Sequence, residues 1–153
     1  ERRQELTTEG GLDVVRNARR IAAAARRFKK RNIGVSLFIE PSELQVKAAG
    51  DIGIGIVELH TGAYAESSSL GQRRMRLKEL REACAVAGAL GLVVNAGHGL
   101  DYENVCPVAS MAQVHELNIG YAIVCHSLFV GLEQAVRQMK ALAKGSRRIR
   151  GGA

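Results

Sequence analysis

Between Asp13 and Arg31, the residues Val14, Ala18, Ile21, Ala25 and Phe28 recur at steps of three and four, while Arg16, Arg20, Arg27 and Lys30 fall on other faces. That spacing predicts an amphipathic helix. Asn32 follows its last turn, and Val35-Ser36-Leu37-Phe38-Ile39 reads as a short buried strand. Pro41 supplies a helix-compatible φ, Leu44, Lys47 and Ala48 fall at helical spacing, and Gly50 and Gly53 close the segment, which predicts a short helix. A second strand runs from Ile54 to His60 and ends in the turn Thr61-Gly62. After the Ser-rich loop Ser67 to Ser69, Leu77, Leu80, Cys84 and Ala87 mark a longer helix that stops near Gly88 to Gly91. Leu92 to Ala96 is a third strand, followed at once by Gly97-His98-Gly99. A helical stretch around Glu103 to Ser110 leads to a fourth strand, His115 to Ile119, and then to Gly120. From Tyr121 the pattern is helical again, with Leu132, Val136, Met139 and Leu142 on one face of the last long helix.

Strands that alternate with helices imply a parallel sheet with helical crossovers, because parallel neighbours cannot be joined by tight hairpins. A doubly wound sheet buries its central strands under helices on both sides and makes them apolar throughout. These strands differ. Glu58 and His60 share one face while Val57 and Leu59 share the other; Asn95 shares a face with Val93; Glu116 and Asn118 oppose Leu117 and Ile119. One apolar face for helices and one partly polar face for an interior is the pattern of a barrel enzyme, whose chemistry sits at the C-terminal strand ends. A complete (β/α)8 TIM barrel takes roughly 200 to 250 residues. The chain has 153, so the fold class expected is α/β, with parallel strands forming the C-terminal half of such a barrel over residues 1–145, and with 146–153 a disordered, basic, Gly-rich tail.

Composition narrows the function. No apolar run approaches the roughly 20 residues of a membrane helix, and the N-terminus lacks the order of a signal peptide, so a soluble, cytoplasmic chain with no membrane partner is expected. It begins Glu1-Arg2-Arg3 without a methionine, which suggests further residues upstream. Cys84, Cys106 and Cys125 lie 22 and 19 apart, matching neither a Cys-x-x-Cys pair nor a disulfide framework, and read as buried reduced thiols. His60, His98, His115 and His126 lack the i, i+4 spacing of a helical metal site, so neither metal nor cofactor is expected. The formal charge is +7, with cationic runs at Arg26 to Arg31, Arg73 to Arg76 and Arg147 to Arg150. Only six residues are aromatic, which leaves little for base stacking; the runs read as solvated surface and not as a nucleic-acid site.

Three places carry candidate chemistry. Gly97-His98-Gly99 follows a strand directly, so His98 stands at the barrel mouth, where imidazole suits proton transfer at neutral pH; alternatively it is a loop histidine without a role. Gly120 follows the fourth strand and opens a helix, so the amides of Gly120, Tyr121 and Ala122 can face an anion, unless the glycine only makes a turn. Glu58 sits on the interior face beside His60, either as a carboxylate satisfied by its neighbours or as a group that stabilises a cationic intermediate.

The segments Arg3 to Asp13, Val35 to Ile39, Glu58-Leu59-His60-Thr61-Gly62, Val94-Asn95-Ala96-Gly97-His98-Gly99-Leu100 and His115 to Gly120 together resemble the pyridoxine 5′-phosphate synthase family. The resemblance runs from Arg3 to about Leu142 and corresponds to the end of the fourth unit and units five to eight of that barrel. It implies a transferase of vitamin B6 biosynthesis. The reaction condenses 1-deoxy-D-xylulose 5-phosphate with 3-amino-2-oxopropyl phosphate, closes a pyridine ring and releases inorganic phosphate. By the resemblance, His98 is the proton donor and Glu58 the transition-state stabiliser. Thr7 binds the deoxyxylulose phosphate, and Gly99, Gly120 and Tyr121 bind the aminooxopropyl phosphate. It also implies a homo-oligomer. This chain departs from the family at Tyr121, where histidine is usual, and at Cys125-His126, commonly a Gly-Arg pair. The remaining acid/base residues, a histidine and a glutamate, belong to strands one to four, so the chain is expected to be inactive alone. Two rival readings are another phosphosugar-binding barrel enzyme and a basic RNA-binding module. A Schiff-base aldolase is disfavoured because none of the four strands carries a lysine.

Overall fold

The computed structural model describes residues 10–148. Its first helix, α1 (Val14–Lys29), begins at Asp13, whose carboxylate accepts from the Arg16 amide at 3.1 Å and replaces an intrahelical partner that amide lacks. The strand β1 (Ser36–Ile39) and the helix α2 (Glu43–Asp51) follow. Gln45 of α2 ties the two helices: its Oε1 accepts from the Val14 amide at 2.7 Å and its Nε2 donates to Asp13 at 3.1 Å. The short helix expected here is present, its buried face is Val46 and Ala49, and Leu44 is 70% exposed. A nine-residue helix rich in alanine and glycine carries too weak a pattern to fix its own orientation, and packing against the next long helix decides it.

After β2 (Ile56–His60) the chain makes one helical turn, α3 (Gly62–Ala65), where only a Thr-Gly turn was expected. The helix α4 (Leu70–Ala89) starts at Ser69, whose Oγ accepts from the Gln72 amide, and buries Leu80, Ala83, Cys84 and Ala87. Then come β3 (Val93–Gly97), α5 (Val105–Ala109) and β4 (Val114–Asn118). The helical region from Tyr121 is two helices, α6 (Tyr121–Val130) and α7 (Leu132–Arg148), broken at Gly131, which has a φ of +82°. Residues 146–148, expected in a disordered tail, continue α7, and Ser146 donates to the Leu142 carbonyl at 2.8 Å. Residues 149–153 lie outside the described residues.

The four strands pair in parallel in the order β1-β2-β3-β4, so chain neighbours are sheet neighbours. A doubly wound sheet reverses its order at a switch point; this one does not. Leu37, Ile39, Val57, Leu59, Val94, Ala96 and Val114 are buried on the helix-covered face, where they join Val46, Ala49, Leu80, Cys84 and Ala87 in the main core. The opposite face presents Phe38, Glu58, His60, Asn95, Glu116 and Asn118. This is a segment of a TIM barrel, apolar outside and polar inside. In β4 the pairing steps from Val94↔Val114 to Asn95↔Glu116, a bulge at His115 that places Val114 and Leu117 on one face although they are three residues apart. A smaller core joins Val105 and Ala109 of α5 to Met139 of α7, and Tyr102 donates to the Ala135 carbonyl at 2.9 Å. Among the described residues no helix is long and apolar enough to cross a membrane.

Two outcomes follow from this core. Leu59 is fully buried, so Leu59→Ala is expected to lower unfolding free energy by about 2–5 kcal/mol in urea titrations. Burial pushes the Cys84 thiol from its ordinary 9.0 up to about 11, because the thiolate is poorly solvated there. Its neutral form therefore contributes stability fully below pH 9, and that contribution drains away as pH rises towards 11. Unfolding titrations at pH 8 and pH 10.5 should show a loss at the higher pH that Cys84→Ala removes in part.

Candidate active site

At the C-terminal ends of the strands, the pairing sets side chains in layers. Phe38, Glu58, Asn95 and Glu116 are in register in one layer, and His60, Gly97 and Asn118 in the next. Gly97 is required where it stands. A Cβ there would lie 2.6 Å from the Glu58 Oε1 and 2.8 Å from the Asn118 carbonyl, so the missing side chain is the space the Glu58 carboxylate occupies.

The loop after β3 is held in an uncommon conformation. His98 has a φ of +81° and Gly99 of +75°; for a non-glycine residue the left-handed region costs about 1–2 kcal/mol. Thr61, fully buried, holds the turn: its amide donates to the Gly97 carbonyl at 2.8 Å, and its hydroxyl proton is shared between the carbonyls of Gly97 at 2.7 Å and His98 at 2.5 Å. Further along, the Asn104 amide group donates to the Gly99 carbonyl at 3.1 Å and accepts from the Asp101 amide at 2.8 Å. Tyr64 closes the arrangement by donating to the Asn104 carbonyl at 2.8 Å, with burial holding its phenol above the ordinary value. A Cβ on Gly99 would meet Ala65 at 2.7 Å, so α3 packs directly under the loop.

These restraints turn His98 towards a cavity of about 790 Å3 whose lining includes Phe38, Glu58, His98, Gly99, Asn118 and the segment Ile119 to Ala122. One wall is the N-terminal end of α6. The first intrahelical bond there runs from the Val124 amide to the Gly120 carbonyl, no side chain caps the end, and the amides of the first turn have no intrahelical acceptor. Such an end attracts anions. Tyr121 is 86% exposed, and a hydrogen bond to Cys125 one turn on holds its phenol above the ordinary value. His126 is engaged elsewhere, bonding Gln138 of α7 at 2.6 Å and lying against the Tyr102 ring.

An imidazole, a carboxylate and the uncapped end of α6 thus line the same cavity. The model of the family described as "Pyridoxal phosphate biosynthesis protein PdxJ" matches residues 1–145. The chain belongs to this family. Pyridoxine 5′-phosphate synthase of Legionella pneumophila (strain Corby) is 47% identical over 147 residues, covering 96% of this chain and 59% of that protein. The protein of the same name from Magnetococcus marinus is 49% identical over 144 residues, covering 94% of this chain and 59% of its own length. The chain thus spans about three-fifths of these relatives.

Five of the six residues singled out from the PdxJ-like sequence, namely His98, Glu58, Gly99, Gly120 and Tyr121, line the one cavity. The sixth, Thr7, lies outside the described residues. Sequence reasoning missed Thr61, which holds the His98 turn, and Glu40, which bonds His60. Both stand at or just beyond strand C-termini, so the positional logic that finds His98 also reaches them.

Thr61→Val keeps the size and removes the shared proton, leaving two carbonyls without it. We expect about 1–3 kcal/mol of destabilisation by denaturant titration, with the largest amide exchange increases at residues 97–100. Exchange changes spread evenly over the sheet would contradict this assignment.

Proposed function

We propose that the chain forms the C-terminal part of a pyridoxine 5′-phosphate synthase, condensing 1-deoxy-D-xylulose 5-phosphate with 3-amino-2-oxopropyl phosphate and releasing inorganic phosphate. The observation that carries the reading is the single cavity lined by His98, Glu58, Gly99 and the open end of α6. In this reading the amides of Gly99, Gly120 and Tyr121 receive the phosphate of the aminooxopropyl substrate, and Tyr121 contributes its backbone while its exposed ring stays out of the contact. When the substrate amine condenses with the ketone, positive charge develops on nitrogen and a hydroxyl leaves as water. Glu58 faces that charge, and its carboxylate lowers the energy of the cationic state. His98 protonates the departing oxygen. Thr7 binds the deoxyxylulose phosphate.

The reading extends to the assembly: a cytoplasmic homo-oligomer, in which the exposed Leu128 and Phe129 of α6 supply apolar contact area. The chain spans 59% of the Legionella pneumophila relative, and in this reading the 153 residues alone do not turn over.

The test is a chimera that places the N-terminal portion of the Legionella pneumophila protein, up to the matched region, ahead of this chain. Pyridoxine 5′-phosphate is expected from the chimera with both substrates and not from the chain alone. In the chimera, His98→Asn should lower kcat on the order of 10²–10⁴-fold, and Glu58→Gln on the order of 10²–10³-fold. Full activity of His98→Asn, or turnover by the isolated chain, would overturn the reading.

A further inference from the structure

At the cavity wall, three rings form a cluster of which the proposed chemistry uses only His98. His60 lies against His98 with centroids 4.7 Å apart and planes at 67°, and against Phe38 at 4.9 Å and 71°. The Phe38 and His98 rings are 6.3 Å apart. Among the described residues no hydrogen bond reaches the His98 ring, so these contacts fix its plane on top of a backbone set by Thr61. His60 itself is anchored. Its Nδ1 lies 2.8 Å from the Glu40 Oε1, and the same carboxylate oxygen accepts from the Gly11 amide at 2.9 Å.

The other nitrogen of His60 distinguishes this from ordinary packing. Nε2 is buried and has no hydrogen-bond partner, and a Cβ on Gly62 would fall 2.7 Å from it and 3.1 Å from the Cδ2 of His98. A carboxylate only accepts, so the Nδ1 contact requires the proton on Nδ1, and in the neutral ring Nε2 keeps its lone pair. A buried polar atom left without a partner costs about 1–3 kcal/mol. Glycine at 62, whose lack of a side chain lets both rings approach, is what admits this costly arrangement.

We propose that His60, held in one tautomer and orientation by Glu40, is a positioning residue for His98: it presents a fixed ring edge-to-face to the proton donor and so sets the direction in which that donor meets substrate. The Gly11 contact extends the same anchor to the residues immediately preceding α1. This inference rests on His98 being the proton donor, and its test separates the two.

Long-range 1H–15N spectra of the 153-residue chain should show His60 as the Nδ1–H tautomer, and Glu40→Ala should convert it to a mixture and shift the His98 ring resonances. An Nε2–H tautomer in the unaltered chain, or His98 resonances indifferent to Glu40→Ala, would overturn the proposal. In the chimera, His60→Phe keeps a ring and removes the anchor. It should lower kcat on the order of 10- to 100-fold, as misplacement of a catalytic group does, with KM little changed. Glu40→Asp should recover most of what Glu40→Ala loses. Unchanged kcat, or losses that merely track the unfolded fraction, count against it. If no chimera forms product, the synthase reading fails, while the spectra still decide whether His60 orients His98.

Discussion

The parallel register of β2, β3 and β4 is the constraint on which the site depends. Side chains alternate across a strand, so a pairing that matches Glu58 with Asn95 and Glu116 sends every polar member of that layer to the interior and leaves Val57, Val94 and Leu117 for the helices. A slip by one residue would bury the carboxylates under α4 and expose the apolar set. The hydrophobic core is therefore what aims the chemistry: Leu59 and Ala96 are buried because helices cover them, and Glu58 and Asn95, their predecessors, turn to the opposite face for the same reason.

Rigidity above the sheet has a different origin. The loop after β3 contains a histidine in a conformation that side chains avoid, and the cost is offset by hydrogen bonds from Thr61, Asn104 and Tyr64, each itself buried. Strain of this kind persists only where the surroundings over-determine it. The consequence for function is a donor ring with little freedom to turn away. Glycines serve the same end from the opposite direction: at 62, 97 and 99 the absence of a Cβ brings His60, Glu58 and Ala65 within distances no other residue would allow.

Much of this was legible in the letters. Alternation in Val57-Glu58-Leu59-His60 fixed both the strand and its inward face, and the Gly-His-Gly after Ala96 located the rim, because strand period and glycine punctuation are local properties. The gaps and misreadings have equally local causes. In α2, alanines and a glycine offer no contrast, so the spacing predicts the helix but not its buried face, which packing of Val46 and Ala49 decides. Basic residues near 147 suggested a solvated tail, yet helix propensity and the Ser146–Leu142 bond carry α7 through Arg148. The single turn α3 is too short to leave a periodic signal, and Gly131 divides two helices that share one apolar stretch of sequence. The Glu40–His60 contact joins residues 20 apart and could be inferred only from knowing that β1 and β2 are neighbours.

The bulge in β4 also bears on how this strand tolerates changes of length. β4 carries one residue more than β3 over the stretch from Val94 to Asn95, and the surplus at His115 lies just before the inward-facing Glu116. Removing that single position would restore regular pairing while leaving Val114, Glu116, Leu117 and Asn118 on the sides they already occupy. Deleting Val114 or Leu117 could also be absorbed by the bulge, but only by moving His115 or Glu116 onto the helix-covered face. The extra residue thus lets β4 change length without reversing the faces of the residues that follow, and the difference between one deletion and another lies in which side chain is moved under the helices.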